Sequence, residues 1–120
     1  MVDREQQWVE RGQKTIATLL GEAVERRIFS EGQVEEIQNR ITGVVGVENV
    51  AHDTDLVIEA VFEDFDVKSA VFNTLDAACG DETILASNTS SLSVNALAEA
   101  TARPDPVSYT HLTLPTKRIV

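Results

Sequence analysis

The chain has 120 residues, of which 20 are Asp or Glu and 10 are Lys or Arg, so its net charge is −10. A chain of this length forms one domain at most, and so acidic a surface repels nucleic acids and anionic lipids. The single cysteine, Cys79, excludes an internal disulfide and fits a reducing compartment. The polar start and the lack of a long apolar run argue against export and membrane insertion, so we expect a cytoplasmic protein.

The first part of the chain predicts a helical hairpin. Between residues 5 and 28, apolar side chains recur with the 3.6-residue period of a helix. A capping-box pattern, Ser30 followed by Gln33, then marks the start of a second helix. Because the link between the two is short, we expect the helices to pack antiparallel.

After residue 42 the pattern alternates between short apolar runs and helical stretches. Residues 43–47 predict a short strand, and residues 55–61 are so continuously apolar that they predict a central parallel strand covered on both faces. The remaining predicted elements are a helix over 65–79, a strand over 83–87 and a helix over 93–101. This strand–helix–strand succession places the fold in the α/β class with a parallel sheet.

Polar clusters follow the two longer predicted strands, where ligands bind in open α/β sheets. The first cluster runs from Glu63 to Lys68, and its lysine could meet a phosphate or a carboxylate. The alternative is that the acids decorate a helix N-terminus and that Lys68 pairs with one of them. Inside the strand, Glu59 is either a structural group or part of a site, because a buried carboxylate needs hydrogen-bond donors.

The second cluster, residues 87–91, places five consecutive hydrogen-bonding side chains between a buried strand and a helix. Such residues also favour loops and helix caps for local reasons, so a site and a simple cap both remain open. The spacing of the glycine, serine, histidine and cysteine residues does not match the motifs of other kinds of site. The glycines never form G-x-G-x-x-G, no G-x-S-x-G is present, and the His and Cys residues lack metal-ligand spacing. We therefore expect neither a metal site nor a serine hydrolase.

Three stretches together carry a resemblance to one family. They are DLVIEAVFED at 55–64, Val67-Lys68 and ASNTSSL at 86–92, and the match covers about residues 2–105. The sequence resembles the NAD-binding domain of the 3-hydroxyacyl-CoA dehydrogenases. The resemblance implies reversible hydride transfer between NAD and the 3-hydroxyl carbon of an acyl-CoA, in fatty-acid β-oxidation or butanoate metabolism. It also implies a homodimer for the intact enzyme.

The resemblance implies a particular version of the α/β class. The fold would be a partial Rossmann-type parallel sheet with an N-terminal helical hairpin, lacking the first strand and the glycine-rich turn. Residues 1–105 would form this partial NAD-binding domain. Residues 106–120, which follow a shift from acidic to basic composition, would be a non-native or irregular tail. Without the glycine-rich turn the main cofactor grip is missing, so we expect negligible dehydrogenase activity from this chain alone.

The resemblance assigns cofactor contacts to four residues. Asp3 lies where the family's second strand ends in the acid that binds the adenosine ribose, and an acid there favours NAD over NADP. Glu63 and Lys68 match cofactor-contacting residues. Ser90 matches a catalytic serine near the nicotinamide and the 3-oxygen of the substrate, so it would contact cofactor and substrate.

Two further roles follow from the resemblance. Arg26, or its neighbour Arg27, lies on the hairpin where the family meets the phosphates of CoA. His111 falls in register with the family's general-base histidine, whereas Leu114 replaces a cofactor-contacting asparagine. Two alternatives remain: a sugar-acid dehydrogenase of the gulonate type, which uses no CoA, and a non-catalytic binding or dimerisation module that uses an exposed sheet edge and the helical hairpin.

Overall fold

The structure, a computed structural model, describes residues 1–99, residue 101 and the backbone of residues 112–113. The chain divides into two compact units, Met1–Asn49 and Val50–Val120. Each unit contains its own parallel pairing of strands. The predicted α/β class with parallel strands is therefore confirmed.

The first unit contains the predicted hairpin and two short strands. Its elements are β1 (Val2–Asp3), α1 (Gln6–Glu25), α2 (Glu31–Asn39), β2 (Val44–Val45) and a 3₁₀ turn (Val47–Asn49). β1 and β2 pair in parallel. Gly46 ends β2 with a φ of 85°, a left-handed conformation that glycine adopts without strain. A groove between the helices is lined by Gln13, Ile16 and Ala17 of α1 and by Gln38 and Ile41, so α2 runs back along α1 as expected.

Local chemistry explains where the two helices end and begin. α1 stops three residues before the prediction, because Arg27 has a φ of 59° and the N–H of Ile28 turns back to the carbonyl oxygen of Ala23 at 2.8 Å. The predicted capping box then starts α2. The Gln33 N–H donates to the Ser30 hydroxyl at 3.3 Å, and the Ser30 N–H donates to the Gln33 side chain at 2.9 Å.

The second unit follows the predicted alternation of strands and helices. Its elements are β3 (Leu56–Glu59), α3 (Phe65–Ala78), β4 (Ile84–Ser87), α4 (Val94–Glu99) and β5 (Leu112–Thr113). The strands pair in parallel in the order β3-β4-β5. Apolar side chains of α3, β4 and α4 dominate its buried core, and the largest of them are Phe72, Leu75, Leu85 and Leu97.

Three expectations about β3 are wrong. Within the described part of the chain, β3 pairs only with β4, so β3 is an edge strand and β4 the central one. Leu56 and Ile58 are 50% and 61% exposed, so β3 is not covered on both faces. The strand also ends at Glu59 instead of Val61, because the N–H of Val61 donates to the Glu59 carboxylate at 2.6 Å. An apolar run shows that a strand can be buried, but it does not show whether a neighbouring segment covers each face or edge, so it could not distinguish these cases.

Candidate functional site

The candidate site begins with the register of β3 and β4. Glu59 and Ser87 are the last residues of the two strands, and the pairing places them directly opposite each other. Because the strands are parallel, the segments that leave them start from the same edge of the sheet. We call this region, residues 59–63 with residues 87–91, the carboxyl edge.

A buried ion pair lies at the base of the carboxyl edge. Lys68, in the first part of α3, is 1% exposed, and its Nζ lies 2.7 Å from Oε1 of Glu59. The same ammonium lies 3.2 Å from the Val61 carbonyl oxygen and 3.4 Å from Oε2 of Glu63. Three protein oxygens therefore surround the three N–H groups of Lys68, which is how a buried lysine charge is tolerated.

The arrangement bears on the alternatives that the sequence left open. Lys68 does pair with acids, and its shortest contact is to Glu59 in the strand and not to the acids beside it. Asp64 caps α3, since its side chain accepts the Val67 N–H at 3.0 Å. The predicted contact of Lys68 with a cofactor stays a prediction.

The Glu63 carboxylate accepts hydrogen bonds from residues 89–91. Its Oε1 accepts the N–H groups of Ser90 and Ser91, each at 3.2 Å, and the Ser91 hydroxyl at 2.9 Å. The Thr89 hydroxyl donates to the same oxygen. The Thr89 hydrogen bond, followed by those from Ser91 and Ser90, lowers the pKa of Glu63 from 4.5 to about 2, although desolvation acts in the opposite direction. Glu63 is therefore a carboxylate at neutral pH.

The two polar clusters thus meet at one place, as the sequence analysis expected. Glu63 and Ser90, 27 residues apart in the chain, are joined by a hydrogen bond. The Glu63 side chain is 39% exposed, and Ser90 and Asn88 are exposed beside it. Oε2 of Glu63 keeps hydrogen-bonding capacity, because four of the donors share Oε1. The site therefore offers acceptor and hydroxyl groups to a ligand.

Three other predicted residues lie apart from this cluster in the sequence. In the first unit, Asp3 ends β1, is exposed and accepts the Arg4 N–H at 2.7 Å. Arg26 caps the end of α1 and lies 3.7 Å from Glu22 in an exposed pair. His111 lies outside the described residues, and so does most of 106–120. The roles of these residues stay predictions.

Sequence reasoning did not assign roles to Ser87, Thr89 and Ser91. The Ser87 hydroxyl donates to Oε2 of Glu59 at 2.6 Å and accepts the Thr89 N–H at 3.1 Å. Thr89 and Ser91 hold Glu63. The unbroken polar run was the available signal, but its partners lie 26 to 28 residues away and depend on strand register.

In the residues that the structure describes, no group of three or more His, Cys, Asp and Glu side chains could hold a metal ion. None of the helices described there has the length and apolarity needed to cross a membrane.

Comparison with protein families assigns the chain. Residues 1–119 match the family described as "3-hydroxyacyl-CoA dehydrogenase, NAD binding domain". The chain therefore belongs to this family, and its parallel strands are part of a Rossmann-type NAD-binding fold. The cofactor of the family, NAD, is the one that the sequence analysis expected.

Particular relatives agree with this assignment. The chain is 45% identical to "3-hydroxybutyryl-CoA dehydrogenase" of Clostridioides difficile over 76 residues, which are 63% of the chain and 27% of that protein. It is 37% identical to "Probable 3-hydroxybutyryl-CoA dehydrogenase" of Bacillus subtilis over 115 residues, covering 96% of the chain and 40% of that protein. The crystal structure of FadB2 from M. tuberculosis superimposes with a TM-score of 0.83 at 30% identity, covering 92% of the chain and 37% of that structure. The chain thus spans well under half the length of these relatives.

Proposed function

We propose that this chain is the NAD-binding part of an enzyme that oxidises 3-hydroxyacyl-CoA to 3-oxoacyl-CoA, in fatty-acid β-oxidation or butanoate metabolism. The observation that carries the proposal is the junction of Glu63 with residues 89–91 at the carboxyl ends of two parallel strands. Ligands of open α/β sheets bind at such ends. Family membership and the names of the two relatives supply the substrate class.

The groups present at the carboxyl edge fit a nicotinamide nucleotide. Ribose hydroxyls are donors that a carboxylate accepts, and Glu63 has Oε2 available for them. Ser90 is an exposed residue whose N–H donates to Glu63, and its hydroxyl would contact nicotinamide and substrate. When bound, NAD supplies the ring that takes up the hydride. Lys68 would act at the same edge, with its charge balanced by Glu59 and Glu63.

The remaining roles are proposed from the resemblance. Asp3 would bind the adenosine ribose, and the exposed end of α1 would bring Arg26 to the phosphates of CoA. His111 would remove the proton from the 3-hydroxyl group as general base. We also propose a cytoplasmic location, supported by the single cysteine.

Cofactor binding tests the proposal directly. We expect calorimetric titration of NAD into the 120-residue chain to show weak, saturable binding, because the chain contains no G-x-G-x-x-G motif to hold the pyrophosphate. Glu63→Gln should weaken that binding about tenfold, since it replaces a charged acceptor by a neutral one. Glu82→Gln, an exposed acid just before β4, is the matched control and should bind like the parent. Equal binding by parent and Glu63→Gln would contradict the assignment of the site.

Activity provides a second test. We expect the purified chain to form negligible NADH from 3-hydroxybutyryl-CoA and NAD, because it spans a minority of the length of its relatives. Robust NADH formation would refute this expectation. The same assay with a sugar acid in place of the CoA ester distinguishes the gulonate-type alternative in the longer enzyme.

A second candidate function is self-association, which the edge position of β3 favours. Within the described residues β3 has a neighbour on one side only, and its Leu56 and Ile58 are half exposed or more. An unpaired strand edge with apolar side chains is a template for a second chain. We propose that a second copy of this chain binds there. The resemblance separately supports the proposal that the intact enzyme is a homodimer. Light scattering tests this: Ile58→Lys should shift a dimer to monomer, and a monomeric parent would contradict it.

A further inference from the structure

The Glu59 carboxylate has a role that the proposed function does not use. Glu59 is 3% exposed at the end of β3. Its Oε1 accepts Nζ of Lys68 at 2.7 Å and the N–H of Val61 at 2.6 Å, and its Oε2 accepts the Ser87 hydroxyl at 2.6 Å. One buried carboxylate therefore joins α3, the exit of β3 and the end of β4. A buried charge persists only when its hydrogen bonds are satisfied in this way.

Two series of contacts connect Glu59 with Glu63. In the first, Lys68 lies between the two carboxylates, 2.7 Å from Glu59 and 3.4 Å from Glu63. In the second, Ser87 donates to Glu59 and accepts the Thr89 N–H at 3.1 Å, and the Thr89 hydroxyl donates to Glu63. Glu59 is therefore connected to Glu63 in two ways: through the Lys68 ammonium that both carboxylates share, and through the hydroxyl of Ser87.

We propose that Glu59 is a positioning residue: its negative charge fixes Lys68 and Ser87 and thereby holds residues 89–91 against Glu63. What the site binds rests on the proposed function, but the holding itself is a property of this chain without any ligand. Glu59 acts through its neighbours, and its burial keeps it from touching a ligand directly.

The three hydrogen bonds of Glu59 depend on its being a charged carboxylate and not only on the size of the side chain. A carboxylate offers acceptors on both oxygens, so it can serve Lys68, Val61 and Ser87 together. The amide of glutamine has one acceptor oxygen and one donor nitrogen. In Glu59→Gln, the amide nitrogen would face either the Lys68 ammonium, a second donor, or the Ser87 hydroxyl, whose O–H would then lose its acceptor. Lys68 would also lose one of its two counter-charges.

Amide hydrogen exchange in the full 120-residue chain tests the proposal. Ser90 and Ser91 are the reporters, because both N–H groups donate to Glu63 at 3.2 Å. Glu59→Gln should speed their exchange about tenfold, the effect of weakening a hydrogen bond to a charged group. Glu59→Asp, which keeps the charge on a shorter side chain, should restore part of the protection.

Thr83→Val is the matched control. It removes a buried hydrogen bond, from the Thr83 hydroxyl to the Thr54 carbonyl oxygen at 2.7 Å, just before β4 and thus at the opposite end of that strand. A purely structural role for Glu59 predicts that both variants change the exchange of Ser90 and Ser91 in proportion to overall stability. The positioning role predicts a faster exchange in Glu59→Gln beyond that proportion. Equal behaviour of the two variants overturns the proposal.

A second variant keeps the test decisive if Glu59→Gln does not fold. Ser87→Ala leaves the pair of Glu59 and Lys68 intact and interrupts only the route through Thr89. It should also speed the exchange of Ser90 and Ser91 relative to Thr83→Val, and unchanged exchange contradicts the proposal. Because no nucleotide is present, this outcome is independent of the NAD titration, so failure of the proposed function and failure of the positioning role are distinguishable.

Discussion

The two units of the chain differ in what holds them together. In the described residues, the first unit buries one apolar side chain, Val9, whereas the second buries seven, of which Phe72, Leu75, Leu85 and Leu97 are the largest. The second unit also contains the ion pair of Glu59 and Lys68, in which both side chains are inaccessible to solvent or nearly so. The amphipathic pattern of the first unit is thus sufficient for two helices, but the described residues of that unit bury few apolar side chains. Most buried apolar side chains and the carboxyl edge therefore belong to the second unit.

Removing the core of the second unit should have the largest effect. Phe72 is completely buried, so Phe72→Ala should lower the free energy of unfolding by about 4 kcal/mol. Urea denaturation followed by circular dichroism measures the change. Leu19→Ala in α1 is the control, because Leu19 is 58% exposed and its loss should cost under about 0.5 kcal/mol. If both variants lost a similar free energy of unfolding, the two units would not differ in how much their apolar side chains contribute to stability.

Breaking the buried ion pair should come next. Lys68→Met keeps most of the side-chain volume but leaves the Glu59 charge without its cation, at an expected cost of about 3 kcal/mol. The same denaturation experiment measures it. Lys14→Met, a change of the same kind at an exposed position of α1, should have little effect. A Lys68→Met protein as stable as the parent would show that the pair contributes nothing to the second unit.

A change confined to the first unit should be smaller and local. Ser30→Ala removes the hydroxyl that accepts the Gln33 N–H and should cost about 1 kcal/mol. Hydrogen exchange should show lower protection in α2, with the amides of β3 and β4 unchanged. Loss of protection in β4 would mean that the two units share one cooperative unfolding step.

The smallest expected effect concerns how the stability of the folded chain depends on pH below neutrality. Since the folded chain lowers the pKa of Glu63 from 4.5 to about 2, folding favours the ionised carboxylate. Its contribution to stability is therefore complete above pH 4.5 and is lost as the pH falls from 4.5 towards 2. The melting temperatures of the parent and Glu63→Gln should differ at pH 6 and converge near pH 2. A difference that does not change with pH would contradict the role of the charge.

Short-range patterns were sufficient to predict much of the fold. The period of the apolar residues predicted α1 and α3, and the pair Ser30 and Gln33 predicted the start of α2, because these signals act within one or two turns of chain. The edge position of β3 was not predictable in this way. Which strand pairs with which depends on contacts between distant segments, and an apolar run looks the same at an edge and in the centre.

The same limit applies to the candidate site. The sequence placed Glu63 and Ser90 at neighbouring strand exits, and the structure joins them. It left Glu59 undecided, because the shortest contact of Lys68 reaches back nine residues into the strand, whereas helical spacing favours the nearer acids. Register between β3 and β4 brings Ser87 to Glu59, and no local pattern contains that information.

Mapping of NAD by NMR tests the central claim, that the nucleotide meets the carboxyl edge. In the ¹⁵N-labelled chain, we predict saturable shifts for the amides of Glu63, Ser90 and Ser91 as NAD is added. The amides of Thr83 and Ile84, at the opposite end of β4, should stay in place. Shifts concentrated at that opposite end, or none at the carboxyl edge at saturation, would contradict the account.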